Sequence, residues 1–151
     1  MNKLSVGDKV PDFQTTDHNG QDVRLSDYRG RWVVLFFYPK DNTPICTREA
    51  CSFRDAYDEF QEIGAVVLGV SADPPESHAR FAEKHRLTFP LLTDDGSLSR
   101  LFGVRKLFGI LPRRATFVIA PEGTVAMVFY ADMFAAAHVK RAMQVIRRAS
   151  G

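Results

Sequence analysis

The apolar positions of this chain fall into short unbroken runs and helical stripes, and these predict its elements in order. Trp32-Val33-Val34-Leu35-Phe36-Phe37 contains no polar residue and predicts a buried strand. Ahead of it, Phe13-Gln14-Thr15-Thr16 and Val23-Arg24-Leu25 flank Asp17-His18-Asn19-Gly20, the pattern of a β-hairpin with a longer turn. Residues 26–30 predict a short turn or helical piece. From Pro44 to about Ile63 apolar residues recur at 46, 50, 53, 57 and 60, one face of a helix that Gly64 ends. A second buried strand covers 65–70, and a helix follows over about 75–86. Residues 89–93 predict a short extended piece, 94–96 a turn, and 97–102 a short helix. Residues 103–113 read as a loop with scattered apolar side chains. A second hairpin joins 116–119 to 125–130 through Pro121-Glu122-Gly123. The last helix, about 134–148, is expected to bury Ala135, Val139, Ala142 and Ile146. Strand, helix, strand, helix argues for an α/β chain with a parallel central pairing and a right-handed crossover.

Composition changes this picture little. A length of 151 residues fits one domain, 1–151, able to bury a real core, without repeat, low-complexity run or linker. Charged residues make up 25% and apolar residues 45%, as in ordinary globular proteins. With a net charge of +2, and basic pairs only at Arg113-Arg114 and Arg147-Arg148, no nucleic-acid partner is expected. No apolar segment approaches the ~20 residues that cross a membrane. The first residues lack the apolar core of a secretory signal, so a cytoplasmic location is expected. In a reducing compartment the chain's two cysteines are more readily catalytic or metal-binding than a structural staple.

The unusual residues are concentrated in Tyr38-Pro39-Lys40-Asp41-Asn42-Thr43-Pro44-Ile45-Cys46 and the residues after it. Thr43-Pro44 opens a helix well, Thr as N-cap and Pro at the first helical position. Cys46 is then the third helical residue, among unpaired N–H groups at the positive end of the helix dipole. That setting favours the thiolate, the nucleophilic form of cysteine. Cys51 lies five residues on, where ideal helix geometry puts the two Cα atoms about 8.7 Å apart. A disulfide spans at most about 7 Å. Either the two sulfurs never pair, or pairing is coupled to local unwinding.

At these residues the sequence resembles the peroxiredoxins and, within them, the bacterioferritin comigratory protein (peroxiredoxin Q) group. The motif Pro-x-x-x-Thr/Ser-x-x-Cys stands here as Pro39, Thr43 and Cys46, and Cys46-Thr47-Arg48-Glu49-Ala50-Cys51-Ser52-Phe53-Arg54-Asp55 continues as in that group. The resemblance runs from Val6-Gly7-Asp8 with Pro11-Asp12-Phe13 to Arg114 with Thr116-Phe117-Val118-Ile119. It implies a thioredoxin-like fold carrying an N-terminal β-hairpin. It also implies a thiol peroxidase acting on hydrogen peroxide or organic hydroperoxides. In that reading Cys46 is the peroxidatic cysteine and Cys51 the resolving one, and a Cys46–Cys51 disulfide is recycled by thioredoxin or a similar dithiol. Thr43 hydrogen-bonds the peroxide, Pro39 shields the sulfur from water, and Arg114 stabilises negative charge. Glu49 either orients Arg114 or is a solvated helix residue. No metal or organic cofactor is implied, and a monomer or weak homodimer is expected.

Plainer readings stand beside these. Cys46 can be core filler, Thr43 only a cap, Pro39 only a strand end, and Arg114 an exposed charge. His18, His78, His85 and His138 are scattered and read as surface residues; His78 and His85 are about 10 Å apart along one helix face, too far for one metal ion. Ile45, Ala115 and Ala120 depart from the family pattern. Two other activities compete. One is a protein thiol–disulfide oxidoreductase, which four residues between the cysteines disfavour. The other is a redox sensor or holdase exposing Phe102, Leu107 and Phe108.

Overall fold

The computed structural model describes residues 4–104, 106–107, 111–132 and 134–150. The apolar runs become the middle of a seven-stranded sheet. β3 (Trp32–Phe37) pairs in parallel with β4 (Ala65–Ser71), and β4 in parallel with β5 (Leu91–Thr93). On the other side of β3 lies antiparallel β8 (Ala115–Ile119), followed by β9 (Val125–Tyr130). The N-terminal hairpin forms as expected, β1 (Gln14–Asp17) with β2 (Asp22–Arg24), and extends the sheet by pairing β1 antiparallel to β5. A 3₁₀ turn, Leu25–Tyr28, leads into β3. The strand order is β2-β1-β5-β4-β3-β8-β9, with the parallel strands central.

Both faces of β3 are buried, and its alternation divides the core. Val33, Leu35 and Phe37 point to a cluster closed by Leu4, Val10, Phe13 and α4 (Ser97–Phe102). Val34, Phe36 and Tyr38 point to a second cluster under α1 (Pro44–Asp55), α2 (Tyr57–Glu62), α3 (Pro75–His85) and α5 (Ala135–Ser150). On that face the Phe36 ring stacks on Phe53 of α1 at 4.5 Å between centroids. Gly69 of β4 lies opposite Phe36, and a Cβ there would fall 2.8 Å from Leu91 and 2.9 Å from the Phe36 ring. The aromatic stack requires that glycine.

Two elements differ from the sequence reading. The helix expected over 44–63 is interrupted at Ala56 (φ −93°, ψ 1°). α1 packs chiefly on α5 and α2 on β4, and one straight helix cannot follow both surfaces while keeping Phe53 and Phe60 buried. Gly64, with φ +78°, does close the second segment. The stretch read as a loop contains a small antiparallel ribbon, β6 (Lys106–Leu107) with β7 (Leu111–Pro112). Two-residue strands are too short to show a period in the sequence. Phe108, and so part of the surface proposed for a sensor, lies outside the described residues, while Phe102 is fully buried. The final helix buries Ala135, Ala142 and Ile146, with Val139 half-buried. Among the described residues no helix is long and apolar enough to cross a membrane.

Candidate active site

The site begins where β3 runs out. Tyr38, fully buried, ties its N–H to the Val70 carbonyl (3.0 Å) and donates its hydroxyl to Asp41 Oδ1 (2.6 Å). Asp41 anchors the following loop. Its backbone N–H donates to Asp73 Oδ2 (2.8 Å), and its own Oδ2 accepts from Ser77 Oγ and faces His78 Nδ1, both at 2.8 Å. The other ring nitrogen of His78 meets the Leu92 carbonyl at 3.1 Å. Asp41, Asp73 and His78 could crowd their ligand atoms around one ion. Protein groups already occupy those atoms, so the cluster reads as a loop anchor. Burial raises the Asp41 carboxyl, but the hydrogen bonds from His78, Tyr38 and Ser77 outweigh it and hold it below the ordinary range.

The loop then turns through Asn42 in the left-handed region (φ +65°) and enters α1. Thr43 occupies the N-cap position in extended conformation, and Pro44 is the first helical residue, as the sequence predicts. The Thr43 hydroxyl makes no capping bond, however; it donates back to the Lys40 carbonyl (2.9 Å). The helix start therefore keeps backbone N–H groups free of a side-chain cap. Pro39 is half-buried at the head of this loop.

Cys46, in the first turn of α1, is 1% exposed. Arg114, just before β8 and 5% exposed, donates Nη1 to Cys46 Sγ (3.2 Å) and to Glu49 Oε1 (2.9 Å). Its Nε donates to the Asp132 carbonyl (3.2 Å), and the Asp132 carboxylate is gripped by Arg113 at 2.7 Å. Burial works against the Arg114 charge, but the Glu49 carboxyl and the Cys46 sulfur more than offset it and raise its affinity for the proton. Glu49 is fully buried, which rules out the solvated reading. Burial outweighs Arg114 there and pushes the carboxyl up to about 8. Cys51 lies further along the same unbroken helix, half-buried, and both thiols are free. Of the departures from the family pattern, Ala115 and Ala120 are buried at the two ends of β8 and Ile45 is half-buried beside Cys46.

The histidine reading needs correction. His78 and His138 are both fully buried, and His18 and His85 are partly so. His138 of α5 faces Thr116 Oγ1 at 2.7 Å, the Ala131 carbonyl at 2.8 Å and Glu49 Oε2 at 3.5 Å. Helical spacing carried the signal: 138 falls on the stripe of 135, 142 and 146, and 78 on that of 81 and 82. Asp132, Thr116 and Asp41 carried no comparable pattern.

A sheet of this order, with a cysteine starting the first helix under an arginine, defines the thioredoxin-like thiol-peroxidase class. The AhpC/TSA family profile matches residues 6–128. A Bacillus subtilis peroxiredoxin Bcp is 42% identical over 95% of this chain and 96% of its own. A chloroplastic peroxiredoxin Q of Gentiana triflora is 41% identical over 97% of this chain and 69% of its own. Among solved structures, peroxidoxin BcpB of Mycobacterium tuberculosis superposes with a TM-score of 0.89 at 42% identity, covering 96% of this chain and 97% of that one. The bacterioferritin comigratory protein of Xanthomonas campestris, whose alkyl peroxide reduction was studied through trapped intermediate and ligand complexes, gives 0.87 at 30% identity and 98% of both chains. The chain belongs to the AhpC/TSA family, in its peroxiredoxin Q and Bcp group, and is a thiol peroxidase.

Proposed function

We propose that Cys46 is the peroxidatic cysteine and that Cys51 resolves it within the same chain. The observation that carries this is the 3.2 Å contact from Arg114 to a buried sulfur in the first turn of a helix. The Cys46 thiolate attacks the terminal oxygen of a hydroperoxide, the O–O bond breaks, and the departing oxygen leaves as water or alcohol while sulfur becomes sulfenic acid. Arg114 and the free backbone N–H groups of the first turn of α1 stabilise the charge that builds on the leaving oxygen. Thr43, poised at the helix start, turns its hydroxyl from Lys40 to the bound peroxide, and Pro39 keeps water from the sulfur.

The first turns of α1 then unwind, Cys51 attacks the sulfenic sulfur and water leaves. Thioredoxin or a similar dithiol restores both thiols by exchange. The substrates are hydrogen peroxide and organic hydroperoxides. The protein works as a monomer or weak homodimer in the cytoplasm. Cys46→Ser is expected to abolish peroxide consumption. Cys51→Ser should complete one turnover and then stall with thioredoxin present, visible as one equivalent of peroxide consumed per chain. Sustained cycling by Cys51→Ser would show that another thiol resolves the sulfenic acid.

A further inference from the structure

Behind Arg114 a second layer of buried groups has a proton to place. His138 Nε2 meets the Ala131 carbonyl at 2.8 Å, an acceptor only, so that nitrogen carries hydrogen. Its Nδ1 lies 2.7 Å from Thr116 Oγ1, whose hydroxyl can donate, and 3.5 Å from Glu49 Oε2. Glu49 Oε2 is buried and has no hydrogen-bond partner among the described residues. With both groups deprotonated, a carboxylate lone pair would face the imidazole Nδ1 in a buried pocket, an arrangement that burial makes costly. A proton on the Glu49 carboxyl, facing Nδ1, removes the conflict and leaves the pair with no net charge.

We propose that Glu49 and His138 together hold one proton throughout peroxide reduction, so that the charge of Arg114 is left to the Cys46 sulfur, with His138 the positioning residue that keeps the proton there. The geometry joins His138 to both anchors of Arg114. One ring nitrogen addresses Glu49, which accepts Arg114 Nη1. The other holds Ala131, whose neighbour Asp132 accepts Arg114 Nε through its carbonyl. The charged and titratable groups facing the pair are Cys46 on α1, Arg114 ahead of β8, and Asp132, which Arg113 balances. Arg141 of α5 lies on the Phe129 ring, whose edge packs on His138 at 4.9 Å. Burial pushes Glu49 up to about 8 and, against the Ala131 carbonyl, pushes His138 down to about 4, so the pair keeps its single proton between those values. Above that window Glu49 becomes a full carboxylate and competes with the sulfur for Arg114.

This rests on Cys46 being the reacting sulfur, so the test first follows oxidation of Cys46 by hydrogen peroxide in a single turnover, with Cys46→Ser as the control. A control that still consumes peroxide would sink the assignment of the nucleophile. The rate is then measured from pH 6 to 10 in the native protein and in Glu49→Gln, whose amide copies the protonated acid and cannot ionise. Each profile is scaled to its own value at pH 7. The native rate should fall about tenfold by one pH unit above the midpoint near 8, and the Gln profile should lack that fall. A native rate that stays level to pH 10, or a Gln variant with the same alkaline midpoint, overturns the proposal. Should Glu49→Gln not fold, nitrogen NMR of histidine-labelled native protein decides. The His138 Nδ1 shift should move through one transition near pH 8 while Nε2 stays protonated, and the absence of that transition overturns the proposal.

Discussion

Two fully buried histidine–carboxylate pairs flank the start of α1, and they settle their charge in opposite ways. Asp41 accepts from Tyr38 and Ser77 and faces His78, so both of its oxygens are engaged, and the carboxyl sits below its ordinary range despite burial. Glu49 has Arg114 on one oxygen, while the other makes no hydrogen bond among the described residues and has only His138 Nδ1 at 3.5 Å, and burial drives it up to about 8. Burial pushes both carboxyls up; the hydrogen bonds to Asp41 outweigh it, and Arg114 beside the more deeply buried Glu49 does not. The first pair is a saturated anchor that holds the loop carrying Pro39 and Thr43. The second is left one donor short, next to the group that faces the Cys46 sulfur.

The contrast can be broken at its most sensitive point by Arg114→Met. This removes the Arg114 donor shared by the Cys46 sulfur and Glu49, and should slow Cys46 oxidation by roughly 10²–10³-fold, read from single-turnover peroxide reduction. A loss under tenfold would mean that the helix start alone supplies the stabilisation. Next, Asp41→Asn leaves His78 buried opposite a neutral amide and releases the loop. A cost of about 3 kcal/mol is expected, hence a melting temperature lower by roughly 6–12 °C. A melting temperature unchanged by this substitution would show that the anchor is not needed.

A pH-dependent effect sharpens the comparison most. The folded-state value of Glu49 is raised above the ordinary 4.5, so the folded chain holds a proton that the unfolded chain gives up between about 4.5 and about 8. Native stability should therefore decline across that window, and Glu49→Gln should gain on the native protein in melting temperature from pH 5 to pH 8 by several degrees. Asp41 carries the opposite sign. Its folded-state value is depressed, so its contribution is present above about 3.8 and is lost as pH falls through the lower folded value. Parallel pH–stability curves for native protein and Glu49→Gln would erase the distinction between the two pairs.

Much of this was legible in the chain. The unbroken run 32–37 becomes β3 residue for residue, because a strand buried on both faces has no polar position to blur its ends. Thr43-Pro44 marks the first turn of α1 without error in register. What escaped depended on packing between distant elements. The break at Ala56 answers the separate surfaces of α5 and β4, and the short strands 106–107 and 111–112 are set by their backbone pairing. The Thr43 hydroxyl chose a loop carbonyl over the helix, a competition that sequence cannot rank. The histidines were misplaced because a polar name outweighed a helical phase that put 78 and 138 on the inner stripe.

The flat stack of Phe36 on Phe53 sets a limit of its own. The unwinding of α1 proposed to follow oxidation of Cys46 would run from Pro44 past Cys46 and Cys51, and two residues later would meet a ring pressed against the sheet. That ring works as a stopper. For the proposed Cys46–Cys51 disulfide, the backbone slack that brings the two sulfurs together would end there, and the segment would have a fixed post on which to rewind once they separate.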